Sequence, residues 1–272
     1  MSIVMEQPGA HPQALSLAQI RRVGFQTIVI REYNRIVRIW TQTILPSGVT
    51  ATLYFLIFGA VIGSRIGSTD GISYMLYIAP GLIMQAVIIN SYNNVVSSFF
   101  GAKFGKHIEE LLVSPLPSWI IVSGYVTGGL VRGAMVGLLV SIVTLFFAHL
   151  PVDHPVIVVA AAALTSVTFA LGGFLNAMFA KNFDQISIIP NFVLTPLIYL
   201  GGVFYSIAQL PAWARRLSLI DPILYMVNAF RFGFLGLSDV PVLIAFTIML
   251  AAIVALFATA VLLLDRSSGI RE

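Results

Sequence analysis

Lys106, His107, Glu109 and Glu110 stand within five positions, in the stretch GKHIEELLVSPLP at 105–117. The chain around them, 272 residues long, is 58% hydrophobic and only 10% charged. Side chains of these types could cradle a phosphate, ligate a metal or present charge to a partner. A phosphate loop needs G-x-x-x-x-G-K-[ST], whose backbone N–H groups wrap the phosphates. The one Gly-Lys pair is Gly105-Lys106; His107 follows it, and no Gly lies five positions before Gly105. The chain is therefore not expected to hydrolyse ATP. The four His, at 11, 107, 149 and 154, lack a spacing such as H-E-x-x-H, and there is no Cys to supply a thiolate, a disulfide or a nucleophile. No Ser-His-acid arrangement is arguable, so neither catalytic nor metal-binding residues are expected. A charged surface remains. Phe104, Ile108, Leu111 and Leu112 follow i, i+4, i+7, i+8 on one helical face, with Lys103, Lys106, Glu109 and Glu110 on the other. Pro115 and Pro117 stop that helix. A helix lying on lipid normally turns Lys and Arg to the phosphates, and paired glutamates would be repelled there. The pattern predicts a helix that docks on protein.

Polar groups inside apolar runs are the second kind of chemistry. Arg132 sits about 14 residues into an apolar stretch that starts at 118, where a charge costs about 2.5–3.5 kcal/mol on insertion scales. All eleven acids fall outside the apolar stretches, so no carboxylate partner is evident within the membrane. Arg132 either bonds to backbone carbonyls or an Asn, or snorkels to the interface if the span is shifted outward, or serves as counter-charge to an anionic head group. Gln85, Asn90, Asn93 and Asn94 are amides in another stretch and must find partners in protein or a wet cavity. They either bond helix to helix or line a pathway. Gly129, Gly133 and Gly137 form a close-packing stripe beside Arg132.

These groups have to be positioned by membrane-spanning helices. Mean hydropathy is +0.95, far above a soluble domain, so the expected class is all-α integral membrane. Six stretches reach the roughly 20 apolar residues a span needs: about 44–63, 74–99, 118–148, 155–180, 186–206 and 241–264. With the N-terminus inside, the inner connections hold ten Lys and Arg and the outer ones four, which places both termini and the 105–117 stretch in the cytoplasm. The basic excess is thereby explained without nucleic acid. Residues 1–15 carry two Pro and no apolar core segment, so they are not a signal peptide. Arg31, Arg35 and Arg38 share a face, at i, i+4, i+7, with Ile36, Val37 and Trp40 largely off it. This reads as an interfacial helix whose arginines face lipid phosphates, serving as an anchor alone or also touching a cytoplasmic partner. Between 206 and 241 the best apolar stretch, Pro222 to Leu235, has 14 residues, too short to span. Asp221 is an N-cap with Pro222 at the first helical position, and Pro211 opens a second short helix carrying Trp213. These are expected to be re-entrant outer helices before span six. Pro190, Pro196, Gly201 and Gly202 should break span five. The expected organisation is 1–43 cytoplasmic, 44–264 transmembrane and 265–272 a cytoplasmic tail.

Four stretches, 38–59, 77–117, 193–211 and 221–236, resemble the permease subunit of an ABC-2-type ATP-binding-cassette exporter. The "EELL…P" element (Glu109 to Pro115) and the "P…LGGVFY…LP" element (Pro196 to Pro211) are the specific ones. The resemblance implies that Lys106, His107, Ile108, Glu109, Glu110, Leu111 and Leu112 form a coupling helix docking on a separate ATPase subunit. It implies that ATP and Mg bind on that partner, with no cofactor on this chain, and that the N-terminal helix touches the same ATPase. It implies a homodimer in a bacterial inner membrane, with spans one, two and five around the pathway. Asn90, Asn93, Asn94, Phe192 and Thr195 are the candidate pathway residues, and Arg132 a possible intramembrane charge. The rival reading, an ion-coupled secondary transporter, would want an intramembrane Asp or Glu.

Overall fold

Apolar length decides the architecture. Within the residues that the structure describes, a computed structural model covering 16–63, 68–69 and 71–268, six helices are long and apolar enough to cross a membrane. They are span one (Trp40–Gly59), span two (Tyr74–Phe104), span three (Ser118–Leu145), span four (Pro155–Phe179), span five (Phe183–Leu200) and span six (Val242–Arg266). The remaining helices are the N-terminal helix Leu17–Arg38, the helix Ile108–Val113 and the helices Ala212–Ser218 and Pro222–Leu235, called inner and outer for the sides that the charge bias predicts. A two-residue antiparallel pair, Ser68–Thr69 with Ile72–Ser73, leads into span two. The expectations placed on residues 1–15, Arg65 and Arg271 lie outside the described residues.

Span two is the axis of the bundle. It packs on spans three and four, while the N-terminal helix lies against span three and the outer helix Pro222–Leu235 against spans two, four and six. The glycine stripe makes this possible. A Cβ on Gly133 would stand 2.1 Å from Ser91 Oγ, and one on Gly129 would stand 2.7 Å from the Ala170 Cβ. Span three therefore meets spans two and four with nothing between the backbones but small atoms, the contact that holds helices together where lipid removes the hydrophobic drive. Span two has 31 residues, about 46 Å of helix against roughly 30 Å of hydrocarbon, so it projects beyond the membrane.

Two boundaries differ from the sequence reading. Span five ends at Leu200, because Gly202 takes φ +74°; the glycines terminate the helix instead of bending it. Within it, Pro190–Leu194 winds as a π-helix, where Thr195 N–H reaches back to the Pro190 carbonyl and Pro196 brings no N–H of its own. The inner helix is shorter than the apolar spacing suggested. Lys103 and Phe104 finish span two, Gly105 to His107 form a turn with Lys106 at φ +60°, and the helix proper is Ile108–Val113. Lys106 and His107 are therefore off the helix, and the single face running from Phe104 to Leu112 does not exist.

Candidate functional site

The inner face is built on the projecting end of span two. Lys103 Nζ donates to the carbonyls of Met178 (2.6 Å) and Ala180 (2.9 Å), tying that end to the last turn of span four. The turn through Lys106 then swings Ile108 inward, where it is buried with Phe99, Phe100 and Tyr125. Glu109 and Glu110 are left exposed on the outer surface of the helix, with His107 exposed in the turn. An apolar root and a charged outer face result, and the root is continuous with two spans.

The N-terminal helix is held by a polar cluster that the sequence reading missed. Ile28, Glu32 and Ile36 form its buried stripe, and Glu32 is 1% exposed. The Glu32 carboxylate accepts from Ser98 Oγ and from Arg35 (3.0 Å); Arg35 also donates to the Asn94 side chain (2.7 Å) and Asn94 carbonyl (3.0 Å). Arg31 donates to Tyr125 Oη at 2.6 Å. Two of the three arginines thus point into the protein's own polar pocket and not at lipid phosphates, because a buried carboxylate must be paired. The signal was available: an acid between two isoleucines at i−4 and i+4, on a helix otherwise basic. Val23, Ile30, Tyr33 and Val37 are exposed apolar residues of this helix, the kind of face that lies on a bilayer.

Mid-membrane, spans one and two diverge around a groove of about 250 Å³. Ser47, Thr50 and Tyr54 line one wall, Leu82, Gln85 and Asn90 the other. Asn90 Nδ2 donates to Ser47 Oγ (3.0 Å) and the Ala86 carbonyl (2.9 Å), and its Oδ1 accepts from Arg132 (3.0 Å), which also reaches the Thr43 carbonyl (3.5 Å). Arg132 therefore bonds to an Asn and a carbonyl. At its outer end the groove meets an aromatic cluster. Tyr54, Phe58 and Tyr199 surround Phe204, at centroid distances of 6.0, 4.9 and 5.5 Å.

The outer helices close over the end of span two. Asp221 caps Pro222–Leu235 through the Ile223 N–H (2.9 Å), and Gly236 at φ +65° ends it. Burial pushes the Asp221 carboxyl up to about 6, against the pull of that bond, and Asp221 in turn adds to the burial that raises Tyr205. Arg231 is buried, with its guanidinium 4.1 Å over the Tyr77 ring and donating to the Gly202 carbonyl at 2.6 Å. It lines a polar cavity of about 230 Å³ with Asn228, Ser206 and Asp239. One residue thus joins the outer helix, span two and the turn after span five.

The candidate pathway residues are not brought together. Asn90 and Asn94 face spans one and three and the N-terminal helix, Asn93 is half-buried, and Phe192 and Thr195 lie exposed on span five, Thr195 Oγ1 bonding back to the Pro190 carbonyl. Span five lies on the periphery of the single chain, which is why its residues meet no partner wall. Ser47, Thr50 and Tyr54 were overlooked because single hydroxyls in an apolar helix carry no charge signal.

The geometry has counterparts among known proteins. A family model described as ABC-2 type transporter matches residues 23–235, from the N-terminal helix through the second outer helix. The inner membrane transport permease YadH of Escherichia coli (strain K12) is 52% identical over 250 residues, 92% of this chain and 98% of YadH. Nodulation protein J of Neorhizobium galegae is 24% identical over 185 residues, 68% of this chain and 71% of its own; that of Rhizobium meliloti (strain 1021) is 22% identical over 225 residues, 82% and 86%.

Proposed function

The chain belongs to the ABC-2 type transporter family, as an inner-membrane permease subunit without an ATPase domain, and on that premise we propose that it works as a homodimer with two copies of an ABC ATPase to export an amphiphile. The observation that carries the reading is the inner helix Ile108–Val113, rooted by buried Ile108 and presenting Glu109 and Glu110 outward. Closure of the ATPases around ATP pushes this helix, and the push reaches span two directly and span three through the Ile108 contacts. Both termini lie in the cytoplasm. The outer helices cap the pathway, and the aromatic cluster at Tyr54 and Phe204 is its outer gate. A largely apolar groove with a few amides and hydroxyls suits a molecule with a tail and a polar head, not a bare ion, which needs rings of charge or carbonyls. Arg132, bonded to Asn90, is a structural charge in this scheme. The test is co-purification of the permease with its ATPase at moderate salt. Glu109→Lys with Glu110→Lys should release the ATPase while the membrane part stays folded; retention of the ATPase by the reversed helix would overturn the docking role.

A further inference from the structure

Resting on that permease reading, we infer that the groove between spans one and two is a head-group subsite selective for a neutral, hydroxyl-bearing head, with Arg132 as the residue that orients it. The orientation of Asn90 is determined twice. A guanidinium only donates and a backbone carbonyl only accepts, so Arg132 must meet Asn90 Oδ1 and Ala86 O must meet Nδ2. Rotating the amide by half a turn would set donor against donor and acceptor against acceptor. Nδ2 is therefore also the atom that reaches Ser47, whose oxygen accepts and whose proton stays available to a guest. Across the groove, Gln85 is 9% exposed and its Oε1 is buried without a partner. A buried amide oxygen left unbonded is costly, and a guest's hydroxyl removes that cost. The subsite thus offers one open acceptor and one open donor. No charged side chain lines it, so a charged head would lose its hydration without gaining a counter-ion. The volume equals that of about eight waters at ~30 Å³ each, enough for one small ring and too little for a large polymer unit.

The chain has no Cys, so Ala86→Cys, on the groove wall, gives a single alkylation site. Its maleimide reaction rate is measured in phosphatidylethanolamine–phosphatidylglycerol nanodiscs. The probes are an alkyl glucoside, an alkyl dimethylamine oxide and an alkyl trimethylammonium of equal chain length, each below its micellar concentration. The glucoside should protect position 86 at a concentration at least about fivefold lower than the two heads that cannot donate, the worth of one hydrogen bond. Gln85→Leu should raise the glucoside's concentration to match theirs. Equal protection by all three heads, an unchanged glucoside value in Gln85→Leu, or no protection at all would overturn the subsite. Arg132→Gln, which still donates to Asn90, should keep the head preference, whereas Arg132→Leu, which leaves only the Ala86 carbonyl to hold the amide, should narrow it; a preference undiminished in Arg132→Leu would overturn its orienting role. ATP hydrolysis by the assembled complex is followed with the same probes. Stimulation without protection at position 86 would remove the subsite and leave the permease reading; neither effect would remove the amphiphile reading as well.

Discussion

Glu32 and Asp221 are two buried carboxylates with opposite solutions. Glu32 is paired, by Arg35 and Ser98, and its removal orphans the Ser98 hydroxyl and leaves Arg35 without its counter-charge, on the Asn94 contacts alone. Glu32→Ala should cost about 1–3 kcal/mol in the stability of the permease, and Glu32→Gln, which keeps an acceptor, clearly less. Denaturant or thermal unfolding in detergent reads the difference; equal losses would mean that the contact is steric. Asp221 has one bonded oxygen, and its Oδ2 is buried unpaired. Its folded value of about 6 lies above the ordinary 3.8, so the neutral acid is the form that the fold favours. Its stabilising share is full below about 3.8 and is lost as pH rises through about 6. Thermal midpoints should therefore fall between pH 5 and pH 7.5, and Asp221→Asn should flatten that fall. A native chain with no slope in this window would contradict the raised value.

At the scale of elements, the informative join is the turn between span two and the inner helix. Lys106 holds φ +60°, a left-handed conformation that a β-branched residue resists most. The turn is what lets Ile108 face inward while Glu109 and Glu110 face out. Lys106→Gly should keep ATPase binding and relieve strain; Lys106→Val should cost about 1–3 kcal/mol and weaken ATPase retention. Pull-down with the three chains side by side separates backbone from charge, since both variants lose the same ammonium. If Lys106→Gly fails as badly as Lys106→Val, it is the lysine's charge that matters. The N-terminal helix is pinned through Glu32 and Arg35 to the same end of span two, so in the proposed scheme a push on the turn would carry it along.

At the scale of the molecule, orientation follows from charge. Single cysteines at 10, 107 and 268 should be labelled only from the cytoplasmic side of sealed vesicles, and those at 69, 152 and 238 only from the outside. Labelling of 107 from outside would reverse the topology. Span five is peripheral in the single chain and wound through a π-segment, and in the homodimer we propose it is the wall that the second copy completes.

Much of this was legible in the residues alone. Spans, short outer helices, the Asp221–Pro222 start and the glycine stripe all follow from local rules: apolar length, the missing N–H of Pro, the missing Cβ of Gly. Such rules act within one helix, where neighbours in sequence are neighbours in space. What they could not reach is pairing between helices. That Arg31 and Arg35 turn inward depends on Tyr125 and Asn94, which are about 60–95 positions away, and on a carboxylate at Glu32 that must be neutralised where it is buried. That Asn90 serves Ser47 rather than Phe192 depends on which face of span two meets span one. The amphipathic spacing of Phe104 with Ile108 was misread because periodicity assumes an unbroken helix, and a single left-handed residue at Lys106 resets the phase. Apolar length and local backbone chemistry determined the class and the helices; the partner of each buried polar group was decided by tertiary packing, because only packing chooses which desolvated donor and acceptor meet.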